Sequence, residues 1–378
     1  MQTLTARRLL TPIGTIEFPV ITLTPDGLIA DISSDTTIQS DEILTPTFLD
    51  IHNHGCAHHD VMEATPAAFT TINTFLASKG VGRYLPTTVT APVDATLRSL
   101  EGIANLIEAP TPPGQAIPIG IHLEGPFISH VKRGVHPPAD IQPPSIPLFD
   151  RFHAAARGHI RLITIAPEIP GAIDLIAHCV ALGIKVSLGH SNATTAETKP
   201  AIAAGATSAT HTFNAMRSLD HRDPGILGIT LDNQDLYAEI ICDGIHVVPE
   251  LVRLWLKAKG EDRAILVTDS MSATGMPDGT YTLGPLTVQV ADHRCLLIEN
   301  GVLTNTLAGS VLTLDQAVAN LQQFTGATLA TAVRLASHNP ATLLGLNTAI
   351  TPGQPASFNR FTPAGHLKST ILQGVKIS

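Results

Sequence analysis

Thr47-Phe48-Leu49-Asp50-Ile51-His52-Asn53-His54-Gly55 decides the fold: an apolar strand that ends in polar side chains, with no glycine-rich turn behind it. A doubly wound open sheet would place a phosphate-binding glycine loop after its first strand, and His52-Asn53-His54-Gly55 is not one. Apolar runs suited to buried parallel strands recur at 47–51, 82–89, 117–123, 160–165, 185–188, 208–212, 237–241 and 264–268. Helix-like segments lie between most of them, at 66–78, 94–107, 172–181, 195–203 and 249–259. Two of these carry proline in the first turn and glycine just past the end, Pro66 with Gly80 and Pro249 with Gly260. Eight strands alternating with helices predict an α/β fold of the (β/α)8 TIM-like barrel type.

Outward from the barrel, residues 1–45 read as short strands. Pro25-Asp26-Gly27 is a turn between the apolar runs 20–23 and 28–32, a hairpin signal. The tail after Gly353 is again short and strand-like. The expected division is 1–45 and 346–378 as two parts of one small β-sandwich, with 46–345 as the barrel.

The 378 residues are 44% hydrophobic and 15% charged, with a formal net charge of −9, so the chain is globular and repels nucleic acid and anionic membranes. No apolar run reaches the ~18 residues of a membrane span, and the N-terminal sequence lacks a secretory signal's apolar core. The expected compartment is the cytoplasm. Cys56, Cys179, Cys242 and Cys295 are scattered without a CxxC pair, which reads as buried reduced thiols.

Histidine is the unusual residue, at 17, and its positions carry the chemistry. His52 and His54 share one face at the end of the first strand, so both rings can reach one metal. Glu124 follows a buried apolar run, where a carboxylate needs a cation or an arginine such as Arg133. His190 and His211 end two further strands; with Glu124 they supply a carboxylate and two imidazoles, the donor set of a catalytic divalent site with an open position. Asp269 ends the last strand, beside the first in a closed barrel, placed to move a proton between water and a leaving group; a helix N-cap or a ligand role is the alternative. His58 and His59 fall in a loop with no strand to aim them. A second group, Arg222, His246 and Asn214, provides the cation and donors that an anion needs in an acidic protein.

The stretches HLEGPFISHVKRGVHPP (122–138), LGHSNAT (188–194), GATSATHTFNAMRSLDHRDPG (205–225), DGIHV (243–247), VTDSMSATGMPDG (267–279) and LAGS (307–310) resemble the N-acetylglucosamine-6-phosphate deacetylases of the amidohydrolase superfamily. The similarity runs in order over most of 48–345. It implies a barrel with a sandwich built from both termini. It implies that Glu124, His190 and His211 hold the principal metal, commonly zinc, that Asp269 is the general base and acid, and that His136 polarises the acetamido carbonyl. Asn214, Ala215, Arg222 and His246 would contact the sugar phosphate, and Leu307, Ala308 and Gly309 would line the acetyl pocket. It also implies a homodimer in which the loop with Arg222 reaches the neighbouring site. His52 and His54 are both present, which supplies ligands for a second metal. Two departures, Pro46-Thr47 before the first strand and Pro355-Ala356-Ser357-Phe358 in the tail, lie away from the chemistry.

Three rivals stand beside this expectation. One is another amidohydrolase of the dihydroorotase or D-aminoacylase kind, although no middle strand ends in the lysine that many binuclear members carboxylate. Another is a deacetylase for the galacto epimer. The third is a non-catalytic sugar-phosphate sensor, which should have lost a ligand or the base, whereas Glu124, His190, His211 and Asp269 are all present.

Overall fold

In a computed structural model that describes residues 2–377, eight parallel strands surround one axis: β1 (Phe48–Asn53), β2 (Val81–Thr88), β3 (Ile121–Glu124), β4 (Ile160–Ile165), β5 (Lys185–Leu188), β6 (Ser208–Ala209), β7 (Tyr237–Ile241) and β8 (Ala264–Val267). Each pairs in parallel with the next from β1 to β8. Most are buried along their whole length, which is why the sequence shows apolar runs rather than alternation.

The seam between β8 and β1 is closed just beyond the regular ladder. The Asp269 N–H donates to the His52 carbonyl at 2.9 Å, and the His54 N–H to the Ser270 carbonyl at 2.8 Å. Beneath them the Thr268 hydroxyl donates to Asp50 at 2.6 Å. The closure thus holds His52, His54 and Asp269 side by side at one rim.

Helices cover the outside: α1 (Pro66–Ser78), α2 (Val93–Glu108), α3 (Ile146–Ala155), α4 (Ala172–Ala181), α5 (Thr195–Ala203), α6 (Gly225–Asp232), α7 (Pro249–Arg263) and α8 (Leu314–Thr325). Thr65 caps α1 by accepting from the Ala68 N–H, and Pro66 occupies the first turn, where its missing N–H costs nothing. Gly260 breaks the helical path inside α7, with φ 65°.

Several expectations need correction. The run 117–123 is two pieces, Ile117–Pro118 and β3. They part around Gly120, where a Cβ would meet the Arg161 side chain at 2.2 Å. The run 208–212 is strand only at 208–209, because His211 and Phe213 turn into left-handed backbone at φ 29° and 81°. Sequence patterning also missed α3, α6 and α8, and an antiparallel meander of strands Gly279–Leu283, Leu286–Ala291, Arg294–Glu299 and Val302–Leu307. The meander packs Val288, Val290, Leu297 and Ala308 against Met271 and Val135 and leans over the rim that carries Asp269.

The terminal segments form two further sheets. One orders the strands Gln2–Thr5, Pro19–Leu23 and Ile29–Ser34; the other runs Val375–Ile377, Leu367–Leu372, Phe358–Phe361, Ile43–Pro46, Arg8–Thr11 and Gly14–Glu17. Their shared core includes Leu9, Ile21, Leu44, Phe358 and Ile371. The hairpin expected at Asp26-Gly27 is present as the antiparallel pair Pro19–Leu23 with Ile29–Ser34.

Candidate active site

The site lies at the C-terminal rim of the barrel, in a cavity of about 260 Å3 lined by His54, Glu124, His136, His190, His211, Asn214, Ala215, His246, Asp269, Leu307 and Gly309, among others. Most of the polar side chains leave the end of a buried strand or the turn that follows it, whereas His136 comes from the long loop between β3 and α3. His190, His211 and Asp269 hold left-handed backbone at φ 46°, 29° and 51°, a conformation costly for side chains with a Cβ and common where a fold aims a functional group. Gly189 makes room for the first of these turns, since a Cβ there would stand 2.7 Å from that of Thr210.

Glu124 is the hub. Its Oε1 is 3.3 Å from His52 Nε2, 3.2 Å from His190 Nε2 and 3.2 Å from His211 Nε2, and its Oε2 is 3.3 Å from His54 Nε2. The two histidine pairs also approach each other, His52 Nε2 to His54 Nε2 at 3.2 Å and His190 Nε2 to His211 Nε2 at 3.0 Å. Asp269 Oδ1 closes the group at 3.2 Å from His54. The arginine alternative for Glu124 is excluded, because Arg133 turns toward Glu299, at 3.9 Å.

The opposite ring nitrogens fix the protons. His54 Nδ1 faces the Thr87 carbonyl at 2.9 Å and His190 Nδ1 the Lys132 carbonyl at 3.0 Å; a carbonyl only accepts, so both rings carry hydrogen on Nδ1 and aim Nε2 inward. His52 Nδ1 faces Glu239 Oε2 at 3.4 Å. One proton can bridge only one edge among His190, His211 and Glu124, whereas a cation between them satisfies all three. Spacings of 3.0–3.2 Å lie just under the roughly 3.3 Å that separates ligand atoms held about 2.0–2.1 Å from a tetrahedral divalent ion. The donors fall into two sets that share a carboxylate, His52–His54–Glu124 and Glu124–His190–His211.

Electrostatics point the same way. Burial opposes charge on His54, yet the hydrogen bonds and charges of Asp269 and Glu124 outweigh it and push the ring up to about 9. Burial alone would raise Asp269, but the His52 and His54 charges hold it well below the usual carboxylate range. The cluster is a sink for positive charge. His136 is the opposite case: burial, with His190 nearby, pushes it down to about 4, so its ring is neutral at physiological pH. Its Nδ1 accepts from the Thr90 N–H at 3.2 Å, which leaves the hydrogen on Nε2, 3.6 Å from Glu124. It is a neutral donor at the edge of the cavity.

Of the remaining expected residues, His246 is held by Asp243 at 2.6 Å and lines the cavity with Asn214 and Ala215. Arg222 is exposed on the loop before α6 and does not line it. Ala308 is fully buried behind the wall formed by Leu307 and Gly309. His59 pairs with Glu63 at 3.1 Å, outside the cavity. Sequence reasoning missed Glu239, whose Oε1 is buried without a partner, and Asn305 and Thr306, which the meander brings to the cavity wall.

A (β/α)8 barrel whose rim gathers imidazoles and carboxylates around a cation site is the architecture of metal-dependent hydrolases, and the comparisons agree. The amidohydrolase family matches residues 43–377. The N-acetylgalactosamine-6-phosphate deacetylase of Escherichia coli O157:H7 is 36% identical over 98% of each chain, and the N-acetylglucosamine-6-phosphate deacetylase of Lysinibacillus sphaericus is 36% identical over 85% of this chain and 83% of its own. The N-acetyl-D-glucosamine-6-phosphate deacetylase of Mycobacterium smegmatis, solved as an aspartate-to-alanine variant with N-acetyl-D-glucosamine-6-phosphate, superimposes with a TM-score of 0.91 at 32% identity, covering 99% of this chain and 98% of its own. The chain belongs to the amidohydrolase family and, within it, to the N-acetylhexosamine-6-phosphate deacetylases. It is an amide hydrolase with a divalent-metal site.

Proposed function

We propose that the chain hydrolyses the 2-acetamido group of N-acetylglucosamine 6-phosphate, yielding glucosamine 6-phosphate and acetate. The observation that carries this is the inward-facing Nε2 atoms of His190 and His211 on Glu124, beside Asp269 and the neutral ring of His136, in one cavity. A divalent cation held there, zinc being suited to imidazole and carboxylate donors, would polarise the acetamido carbonyl and lower the pKa of the attacking water.

The chain's own groups do the rest. Asp269 accepts the proton of the attacking water and then gives it to the departing nitrogen. His136 offers its Nε2–H to the carbonyl oxygen as negative charge develops there. Leu307 and Gly309 flank the acetyl methyl, while Asn214, Ala215 and His246 grip the phosphorylated end. Holding that distant group fixes the unreactive amide in attack geometry. The exposed Arg222 supports a homodimer in which it reaches the phosphate site of a neighbouring copy. His52 and His54 are assigned to a second metal position that shares Glu124. We keep the barrel at 46–345 and the sandwich at 1–45 and 346–378, and place the protein in the cytoplasm; no helix of the described residues is long and apolar enough to cross a membrane.

A second reading, the galacto epimer, is favoured by the near full-length match to the E. coli relative. Acetate release measured with both epimeric 6-phosphates and with unphosphorylated N-acetylglucosamine decides the matter. The expected result is turnover of the gluco 6-phosphate that a chelator abolishes; a higher kcat/KM for the galacto compound reassigns the substrate. No acetate from any of them, with metal supplied, overturns the hydrolase reading in favour of a sensor.

A further inference from the structure

We propose that the chamber between the N-terminal mouth of the barrel and the sandwich is a second ligand site, which takes a small molecule with a phosphate or carboxylate head on the guanidinium of Arg83. The chamber has a volume of about 250 Å3 and lies at the opposite end of the strands from the metal cluster. Arg83 sits near the start of β2 and lines it together with Gln115, Ser337, His338, Gln354 and Gln373.

Three features set this space apart. Among the residues that line it, Arg83 is the only one with a permanent charge. It is half-buried, and among the described residues its side chain makes no hydrogen bond and no ion pair. Burial is the sole influence on its pKa, and it lowers it; no carboxylate offsets the charge. A guanidinium that faces a chamber with no carboxylate beside it is open to an anion, and its planar fork matches the paired oxygens of phosphate or carboxylate.

The surroundings suit such a ligand. Gln115, Gln354, Gln373, Asn347, Thr348 and Ser357 line the same chamber, and such neutral hydrogen-bonding residues fit a polar body rather than an apolar one. His338 is turned to Thr348 at 3.1 Å. The adjoining space holds one carboxylate, Glu261, already engaged by the Thr331 hydroxyl at 3.0 Å. Gly82 shapes the floor: a Cβ there would meet the Thr47 hydroxyl at 2.3 Å. In a chain of net charge −9 this is a local positive pocket.

The test uses the metal-loaded, full-length protein and its Arg83→Gln and Arg83→Met variants. Calorimetric titration with inorganic phosphate, and separately with succinate, should show in the wild type a binding event additional to any at the metal rim, and that additional event should weaken at least tenfold in both variants. A response to phosphate alone or succinate alone identifies the head group. Acetate release should change less than twofold, because Arg83 is remote from the reacting atoms, and the Met variant should melt no lower than the wild type, because no bond is lost. Isotherms unchanged by either substitution, absence of binding with both anions, or a Met variant that melts several degrees lower would each overturn the proposal.

Discussion

His190 Nε2 and His211 Nε2 stand 3.0 Å apart, although His190 already uses its proton at Nδ1 to bond the Lys132 carbonyl. Two ring nitrogens and Glu124 Oε1 in mutual contact are an assembly that repels itself unless a cation lies among them. Metal removal should therefore do more than stop turnover. Dialysis against a chelator is expected to abolish acetate release and lower the melting temperature by several degrees, with both restored by zinc, since binding to the folded form alone adds to stability. His190→Asn should remove the bound metal and cost more than the roughly 10–100-fold typical of outer-sphere partners. Elemental analysis of the variant settles it: full metal content with near-normal turnover would contradict the assignment.

Asp269 touches His54 at 3.2 Å but lies outside the Glu124–His190–His211 set. Asp269→Asn keeps shape and hydrogen bonding while removing the basic oxygen. The expected outcome is retained metal at that set and a fall in kcat of about 10²–10⁴-fold. Turnover close to wild type would remove Asp269 from proton transfer.

His136 is neutral and presents its Nε2 hydrogen, and in the proposed reaction its contribution would come from a hydrogen bond that strengthens as the carbonyl oxygen gains charge. His136→Ala should lower kcat by roughly 10²–10³-fold with a smaller effect on KM, as for loss of an oxyanion donor. His136→Gln, which can still donate, should recover part of the loss. A change confined to KM would instead mark it as a binding residue.

Lys259, on α7, donates to the Thr230 carbonyl at 2.9 Å and to the Asn233 carbonyl at the end of α6. Burial is the main cause that pushes its ammonium down to about 8, against about 10.4 in an unfolded chain. Between those values the unfolded state binds more protons than the native one, so stability rises with pH across that window. Urea unfolding at pH 7.5 and 9.5 should show the wild type gaining on Lys259→Met at the higher pH. A constant gap between the two proteins would mean that the folded amine titrates normally.

The barrel was legible because its strands are buried on both faces and so appear as apolar runs, each ended by a polar group such as Glu124, His190 or His211. The meander was not, because Gly279–Leu283 alternates half-exposed and exposed positions, a weak signal beside the dense runs around it. Asn305 and Thr306 were unreadable for that reason: only the folded meander brings them to the cavity. Glu239 carries a signal in the sequence itself. A carboxylate inside the buried run Tyr237-Ala238-Glu239-Ile240-Ile241 is the same anomaly as Glu124, but it sits within its strand rather than at the tip, where side chains of a barrel site are expected. The shortened β6 could not be foreseen, since nothing in Thr210-His211-Thr212 signals the left-handed turn that aims His211.

Ile43 pairs with Phe361 and Leu44 with Arg360, so a sheet edge waits during synthesis for a strand made about 300 residues later. Such distant pairing is slow to form, because a long loop must close before any contact is gained. On a ribosome the first strands would stay incomplete while the barrel takes shape, and the half-sandwich would expose Leu9, Ile21 and Leu44 in the meantime. Nascent-chain aggregation, more than thermal unfolding, is therefore where mutations in this small sheet should first be felt.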